Sequence, residues 1–265
     1  MKTWYINLAR RTDRRAFMDE QFSRLGLDAI RIEAVTPAEL TDAQRAQILR
    51  MESGVRETGG YCVSLSHLAA MRAFLATGDD FALILEDDAV LSPSLPRFIA
   101  AFQAAAPHLD LLRIETSGRR IRLKSASPKI GGHSICRAYS WEAGRAGYIV
   151  SRSGAAEMLA APEMLRKPHD ESMFDPYEPL PRRLIVRQLD PALCIQEHVL
   201  NRAPAPRFAS DLDKRIGEVP FAPLWLRLWR RTVLGFRRDI VIAAQKTWHQ
   251  YGGGARKRRV QFKAD

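Results

Sequence analysis

LILEDDAVLSP, residues 83–93, decides how this chain is read. The apolar run that begins at Phe81 is of strand length and nearly uninterrupted, the pattern of a strand buried on both faces. It ends in Glu86, Asp87 and Asp88, carboxylates that repel one another unless something holds them. Three readings follow: a solvated loop, an acidic start to the next helix, or a divalent-cation site. Along extended backbone, residues i and i+2 point the same way, so Glu86 and Asp88 face one pocket and Asp87 faces away. Hard oxygen ligands at that spacing suit Mn²⁺ or Mg²⁺, shared with a diphosphate.

Outward from this stretch, strand and helix signals alternate. TWYINL (3–8) reads as a first strand, followed by an amphipathic helix carrying Phe17, Phe22 and Leu25, capped by Thr12 or Asp13 and stopped at Gly26. AIRIEAV (29–35) alternates like a strand, and a helical piece covers Thr41–Met51. After Gly59-Gly60, SLSHLAAMRAFLATG places Leu68, Met71 and Leu75 at core spacing on a helix. Pro93 and Pro96 flank a further helix ending near Ala106; DLLRIE (110–115) is strand-like, and 118–141 is a basic, irregular excursion or hairpin. AGYIVSRSGAAEML reads as strand, Ser cap, helix. This alternation predicts an open α/β domain with a mostly parallel central sheet, and in such sheets ligands bind beyond the carboxyl ends of the strands. The acidic triplet sits there.

Composition narrows the class. No run reaches the ~18 apolar residues of a membrane span. MKTWYINLARRTDRR has no apolar h-region, so a cytoplasmic location is expected. Cys62, Cys136 and Cys194 are odd in number and far apart, which argues against a disulfide framework or a zinc knuckle. The formal charge is +11, and from Lys214 onward 13 Lys/Arg face 3 Asp/Glu, an excess of +10 that leaves the body near neutral at +1. The division expected is a globular domain over residues 1–210 and a basic, aromatic-rich extension over 211–265.

YINLARRTDRR, SLSH opening a helix, LILEDDA after a strand, AGYIVSRSGAAEML and the acidic PHDESMFDP occur here in that order. Together they resemble glycosyltransferase family 25, which contains lipopolysaccharide and lipooligosaccharide galactosyltransferases and collagen galactosyltransferases. The resemblance covers residues 3–200. It implies a GT-A-like nucleotide-sugar fold, a UDP-sugar donor, a divalent metal and inversion at the anomeric carbon, with a lipopolysaccharide-type or related glycan as acceptor. One departure stands out: the family pattern has Gly-Cys shortly before Ser-His, whereas Tyr61 separates Gly60 from Cys62 here, and Cys62 is given no chemistry.

Under that resemblance each segment acquires a role. Asp88 holds the metal, with Glu86 or Asp87 assisting directly or through ribose and water, as a Lewis acid for the leaving diphosphate. The first strand carries Asn7, Arg10, Arg11 and Arg14 to the same edge, where an arginine pairs with phosphate or stacks near uracil. Asn7 with Arg10 or Arg11 is preferred; a solvated helix start is the plainer account. Ser66 and His67 are placed at a helix N-terminus, where histidine donates to sugar or phosphate, against a structural cap. Inversion needs a base for the acceptor hydroxyl: Asp170 first, Glu171 its rival, the alternative being an N-cap with an acidic first turn. His198 is a further metal-ligand candidate on position alone.

The extension interleaves Trp225, Leu228, Trp229, Phe236 and Trp248 with arginines. It reads as an amphipathic surface helix on anionic lipid, at the inner face of the cytoplasmic membrane, or as apolar residues packed on the domain. Nucleic acid is not expected as a partner, because the folded body lacks the required basic face. A catalytically inactive sugar-binding member is the other alternative, opposed by the retained EDD and HDE acids.

Overall fold

Ala82, Leu83, Ile84 and Leu85 are all fully buried, two facing each side of the sheet they form. The computed structural model describes residues 1–50, 58–126, 129–166, 169–201, 208, 243–244, 247–248 and 253–264. In chain order the elements are β1 (Lys2–Asn7), α1 (Thr12–Leu25), β2 (Ala29–Glu33), α2 (Asp42–Arg50), α3 (Thr58–Leu75), β3 (Phe81–Glu86), β4 (Ala89–Leu91), α4 (Leu95–Ala105), β5 (Leu111–Arg113), β6 (Arg120–Ser125), β7 (Ser134–Ala138), β8 (Gly147–Ser151), α5 (Arg152–Ala160), α6 (His169–Phe174), α7 (Pro179–Arg183), β9 (Val186–Asp190), β10 (Cys194–Gln196), α8 (Glu197–Asn201) and β11 (Arg256–Arg259).

Among the described residues, nine strands form one sheet in the order β11-β6-β7-β9-β5-β8-β3-β1-β2, and β4 pairs with β10 in a small second sheet. The expectation of a mostly parallel sheet is corrected. Only β1–β2, β1–β3 and β5–β9 run parallel, whereas β8 is antiparallel to both β3 and β5, and the β7, β6, β11 half is antiparallel throughout. The short excursion over 118–141 is the reason: β6 and β7 form a hairpin, which reverses the chain without a crossover helix. The sheet is a mixed one with helices on both faces.

Side-chain alternation explains the two layers. Trp4, Ile84 and Tyr148 face α3 and α5 with Met71, Phe74 and Met158. Tyr5, Leu83 and Ile149 face α1 and α4 with Met18, Phe22, Phe98 and Phe102. Truncating any of these fully buried side chains to Ala costs ~2–5 kcal/mol. Gly26 closes α1 in the left-handed conformation at φ 62°, as its position predicts, but the N-cap is Arg11 and no side chain caps that end. Ser151 caps α5, accepting from the Gly154 N–H.

The chain's end departs from the predicted helical extension. Residues 256–259 add an edge strand to β6, the Thr116 hydroxyl donates to the Val260 carbonyl, and Val260 is buried with Ile121, Leu123 and Cys136. Residues 256–259 therefore belong to the sheet, so a boundary at 210 does not separate them from it. Trp225, Leu228, Trp229 and Phe236 lie outside the described residues; Trp248 is exposed. No described helix is long and apolar enough to cross a membrane. All three cysteines are buried.

Candidate active site

Glu86 is the last residue of β3 and Asp87-Asp88 form the turn into β4, so the acids sit at the carboxyl end of an interior strand. Two ties hold the turn. Buried Gln21 of α1 donates to the Ala89 carbonyl at 2.9 Å and accepts the Leu91 N–H at 2.8 Å. From the other side, the Glu197 N–H donates to the Asp88 carbonyl at 2.9 Å.

The three carboxylates meet different partners. Asp87 accepts from Asn7 Nδ2 at 2.8 Å and from Arg14 at 2.7 Å, while Arg31 donates to Asn7 Oδ1 at 3.0 Å. Asp87 thus clamps β1 to the start of α1. Glu86 Oε1 lies 2.9 Å from Arg145 Nε and 3.2 Å from His67 Nε2, and Gln196 approaches Oε2 at 3.4 Å. Asp88 is half-buried; its Oδ2 is 3.8 Å from Arg14, and its buried Oδ1 has no hydrogen-bond partner.

Their ionisation differs accordingly. Burial opposes the Glu86 charge, but Arg145, His67 and Arg14 outweigh it and hold the group down to about 2. Asp88 is pushed up to about 7 by burial and by the charges of Glu86 and Asp87, with Arg14 offsetting only part. A carboxylate beside like charges with one buried, unpartnered oxygen is a site where a hard divalent cation fits, because the cation removes both the repulsion and the unmet lone pair.

His67 is not at a helix N-terminus, which corrects the sequence expectation. The helix starts at Thr58, so Gly59-Gly60 lie in its first turn and Ser66-His67 in its middle. Ser66 Oγ donates back to the Cys62 carbonyl at 2.8 Å and accepts the Val35 N–H at 2.8 Å, a structural pairing. His67, fully buried, bridges Tyr148 and Glu86. Burial pushes its pKa down, against the opposing pull of Glu86. The Tyr148 phenol, held protonated by burial, donates to Nδ1 at 2.9 Å, which leaves the Nε2–H to donate to Glu86.

Asp170 joins this cluster and Glu171 does not. Asp170 Oδ2 accepts the Gly144 N–H at 3.0 Å, Oδ1 accepts the Glu171 N–H at 3.0 Å, and Arg145 lies 4.0 Å from Oδ1. Arg145 therefore stands between Glu86 and Asp170. Glu171 groups instead with Asp175 and Glu178, the one set of three potential metal-ligand atoms within 4.8 Å among the described residues. His198 is exposed on α8 and converges with no such set. Arg10 is exposed, and Arg11 forks onto Asp13 at 2.8 and 2.9 Å, so Arg14 is the arginine that reaches the acids.

Arg145, Tyr148, Gln196 and a buried layer beneath them were not singled out from sequence. In that layer, Arg113 donates to the carbonyls of Glu142 and Ala143 at 2.9 and 2.8 Å and lies 3.4 Å from Glu115. Fully buried Glu115 accepts the Ala146 N–H at 2.9 Å, and its Oε1 is unpartnered. Burial lifts Glu115 to about 8, with Arg113 opposing and Glu86 adding to the rise. Gly144, at φ +112°, lies so close that a Cβ there would come within 2.4 Å of Glu115 Oε1. The one sequence signal is Gly-Arg-Ala-Gly (144–147) running into the start of a strand.

With this geometry in place, comparison with known proteins assigns the chain to the glycosyltransferases. Residues 1–173 match Glycosyltransferase family 25 (LPS biosynthesis protein), and the chain belongs to that family. It is 28% identical over 213 residues to the lacto-N-neotetraose biosynthesis glycosyltransferase LgtB of Neisseria gonorrhoeae, covering 74% of this chain and 75% of that protein. It is 27% identical over 212 residues to LgtB of Neisseria meningitidis serogroup B, covering 74% and 76%. A solved glycosyltransferase involved in glycosylation of the major capsid of PBCV-1 aligns at 14% identity and TM-score 0.40, over 74% of this chain and 91% of that one, a likeness too distant to decide details.

Proposed function

We propose that the chain is an inverting, metal-assisted transferase with a GT-A-like catalytic domain that moves a hexose, galactose in this reading, from a UDP-sugar to a lipopolysaccharide or lipooligosaccharide core acceptor. Family membership and the LgtB relatives support the reaction class and the acceptor class. The single observation that carries the metal and donor is Asp88, half-buried at the strand end with a buried, unpartnered Oδ1 and raised to about 7.

Asp88 and Glu86 would hold Mn²⁺ or Mg²⁺, which when bound supplies Lewis-acid stabilisation to the leaving diphosphate. Arg14 and Arg145 flank that position and favour the same negative charge. Asn7 fixes Asp87 so that Arg14 is presented to the acids. Asp170 is the base: each of its oxygens accepts one backbone N–H and keeps a lone pair. The acceptor hydroxyl gives its proton to Asp170 as its oxygen bonds to the anomeric carbon; the bond to UDP breaks with its electron pair leaving on the phosphate. The basic, tryptophan-containing stretch between residues 211 and 252, with exposed Trp248, is assigned to contact with anionic lipid on the cytoplasmic side.

The test is UDP release from UDP-galactose with a lactosamine-type acceptor and Mn²⁺, together with thermal protection by Mn²⁺ plus UDP. Both should vanish in Asp88→Asn while the protein stays folded. Wild-type UDP release in that variant would overturn the assignment.

A further inference from the structure

Away from the acidic turn, a groove of about 360 Å³ opens where β7 ends and β9 begins, roofed by the segment from α6 to α7. Arg137, Arg182 and Arg187 line it together with Tyr139, Tyr177 and Phe174, and among the described residues no Asp or Glu lines it. The pairing of Cys136 with Gln188 brings Arg137 beside Arg187 at the next step of the ladder. Arg187 is partly buried, and its guanidinium is pushed down first by burial and then by the Arg137 charge. Arg137 lies 5.2 Å from the Tyr139 ring centroid, and the Tyr177 hydroxyl donates to the Tyr139 carbonyl at 3.0 Å. Asp175, between the lining residues Phe174 and Pro176, accepts the Tyr177 N–H on Oδ1 at 3.0 Å.

Like charges gathered in a concave site without a counter-charge are unfavourable until an anion enters, and guanidinium forks match phosphate and carboxylate geometry. The aromatic rings beside them offer apolar faces and hydroxyls of the kind that receive a sugar ring. A recessed site of this volume fits a discrete ligand rather than a flat lipid surface.

We infer that this groove binds an anionic sugar unit of the acceptor glycan, one bearing a phosphate or a carboxylate, remote from the hydroxyl that is glycosylated. The inference rests on the proposed glycosyltransferase reading. Arg187 is three strands across from Glu86 and three residues lower in register, about 17 Å by ordinary sheet spacing. That span suits an acceptor of several sugars and not the donor. Two connections join the regions: the loop that starts at Tyr139 carries Arg145, and Phe174 is one turn of α6 beyond Asp170.

The test compares the wild-type chain with the double variant Arg137→Gln/Arg187→Gln. Direct binding is read by calorimetry with glucose 6-phosphate, glucuronate, glucose and inorganic phosphate. Turnover is read with a neutral lactosamine acceptor and with an oligosaccharide of the same reducing length carrying a phosphorylated sugar. Expected are binding of glucose 6-phosphate or glucuronate well above glucose and inorganic phosphate, and a loss of roughly tenfold or more in the variant. KM for the phosphorylated acceptor should rise by a similar factor, with kcat and the neutral acceptor unchanged. Anionic-sugar binding that survives the double substitution would overturn the inference. So would inorganic phosphate binding as tightly as the sugar phosphate, or a variant defect confined to anionic vesicles. If no acceptor is turned over by either protein while anionic-sugar binding still requires the arginines, the groove stands and the transferase reading fails.

Discussion

Replacing Gly144 with alanine tests whether the buried layer holds Arg145 in place. Two costs add at this position. An L residue at φ +112° is strained by ~1–3 kcal/mol. Its Cβ also falls 2.4 Å from Glu115 Oε1, so the carboxyl must shift and weaken its bonds to Ala146 and Arg113, a further ~1–3 kcal/mol. Gly118→Ala provides the control, because Gly118 is at φ +70° and its Cβ would meet nothing within 4 Å. At ~2–4 °C per kcal/mol, Gly118→Ala should lower Tm by about 3 °C and Gly144→Ala by about 10 °C. Only Gly144→Ala should also lower UDP-sugar turnover, by roughly tenfold, since the displaced loop carries Arg145 away from Glu86. Scanning calorimetry and initial rates read both effects. A double-mutant cycle with Glu115→Ala isolates the collision, and the pair should be less destabilised than the sum of the singles. Equal Tm losses at the two glycines, or strict additivity with Glu115→Ala, would refute the reasoning.

Three further outcomes follow from particular contacts. Glu115 is raised from 4.5 to about 8, so the folded state keeps a proton the unfolded state releases, and stability falls as pH rises from 4.5 to 8; Glu115→Gln should flatten that slope, and a wild-type Tm–pH curve parallel to the variant's would contradict it. Arg14→Gln should raise the donor KM by roughly tenfold, as expected for a lost charge-assisted contact, whereas Arg11→Gln, whose guanidinium is committed to Asp13, should change it less than about twofold; equal effects in steady-state kinetics would remove Arg14 from the site. A chain ending at Ala255 loses β11 and uncovers Ile121, Leu123 and Cys136, so Tm should fall by about 6 °C or more and the exposed β6 edge should self-associate on gel filtration, while an unchanged monomer of wild-type Tm would show the end to be dispensable.

The sequence made legible whatever depends on local chemistry. FALILE is apolar on both faces and became an interior strand; Gly26 and Ser151 ended and began helices as their types dictate. The acidic turn was placed at the ligand edge by the same logic. Pairing of distant segments was not legible. Ser66 and His67 were assigned to a helix start because Gly59-Gly60 looks like a break, yet two glycines in a first turn cost little when Tyr61, Cys62 and Leu68 bury their side chains on the core. Arg11 and Arg14 are equally basic on paper; Asp13 beside Arg11 settles which one is free to reach Asp87 only once the helix phase is known.

The antiparallel β8 accounts for the largest omission. In a parallel sheet, every strand's start lies at the edge away from the ligand, and a residue preceding a strand is discounted from the site. Because β8 runs against β3, Leu85 pairs with Gly147 and the Glu86 N–H donates to the Ala146 carbonyl at 2.9 Å. The residue just before β8 therefore lands beside the last residue of β3, and Arg145 can span from Glu86 to Asp170. The same reversal puts Tyr148 of β8 under His67, fixing the tautomer that donates to Glu86. The strand orientation that the sequence reading had wrong is thus what supplies the cation and the histidine tether for the acid that begins the EDD turn.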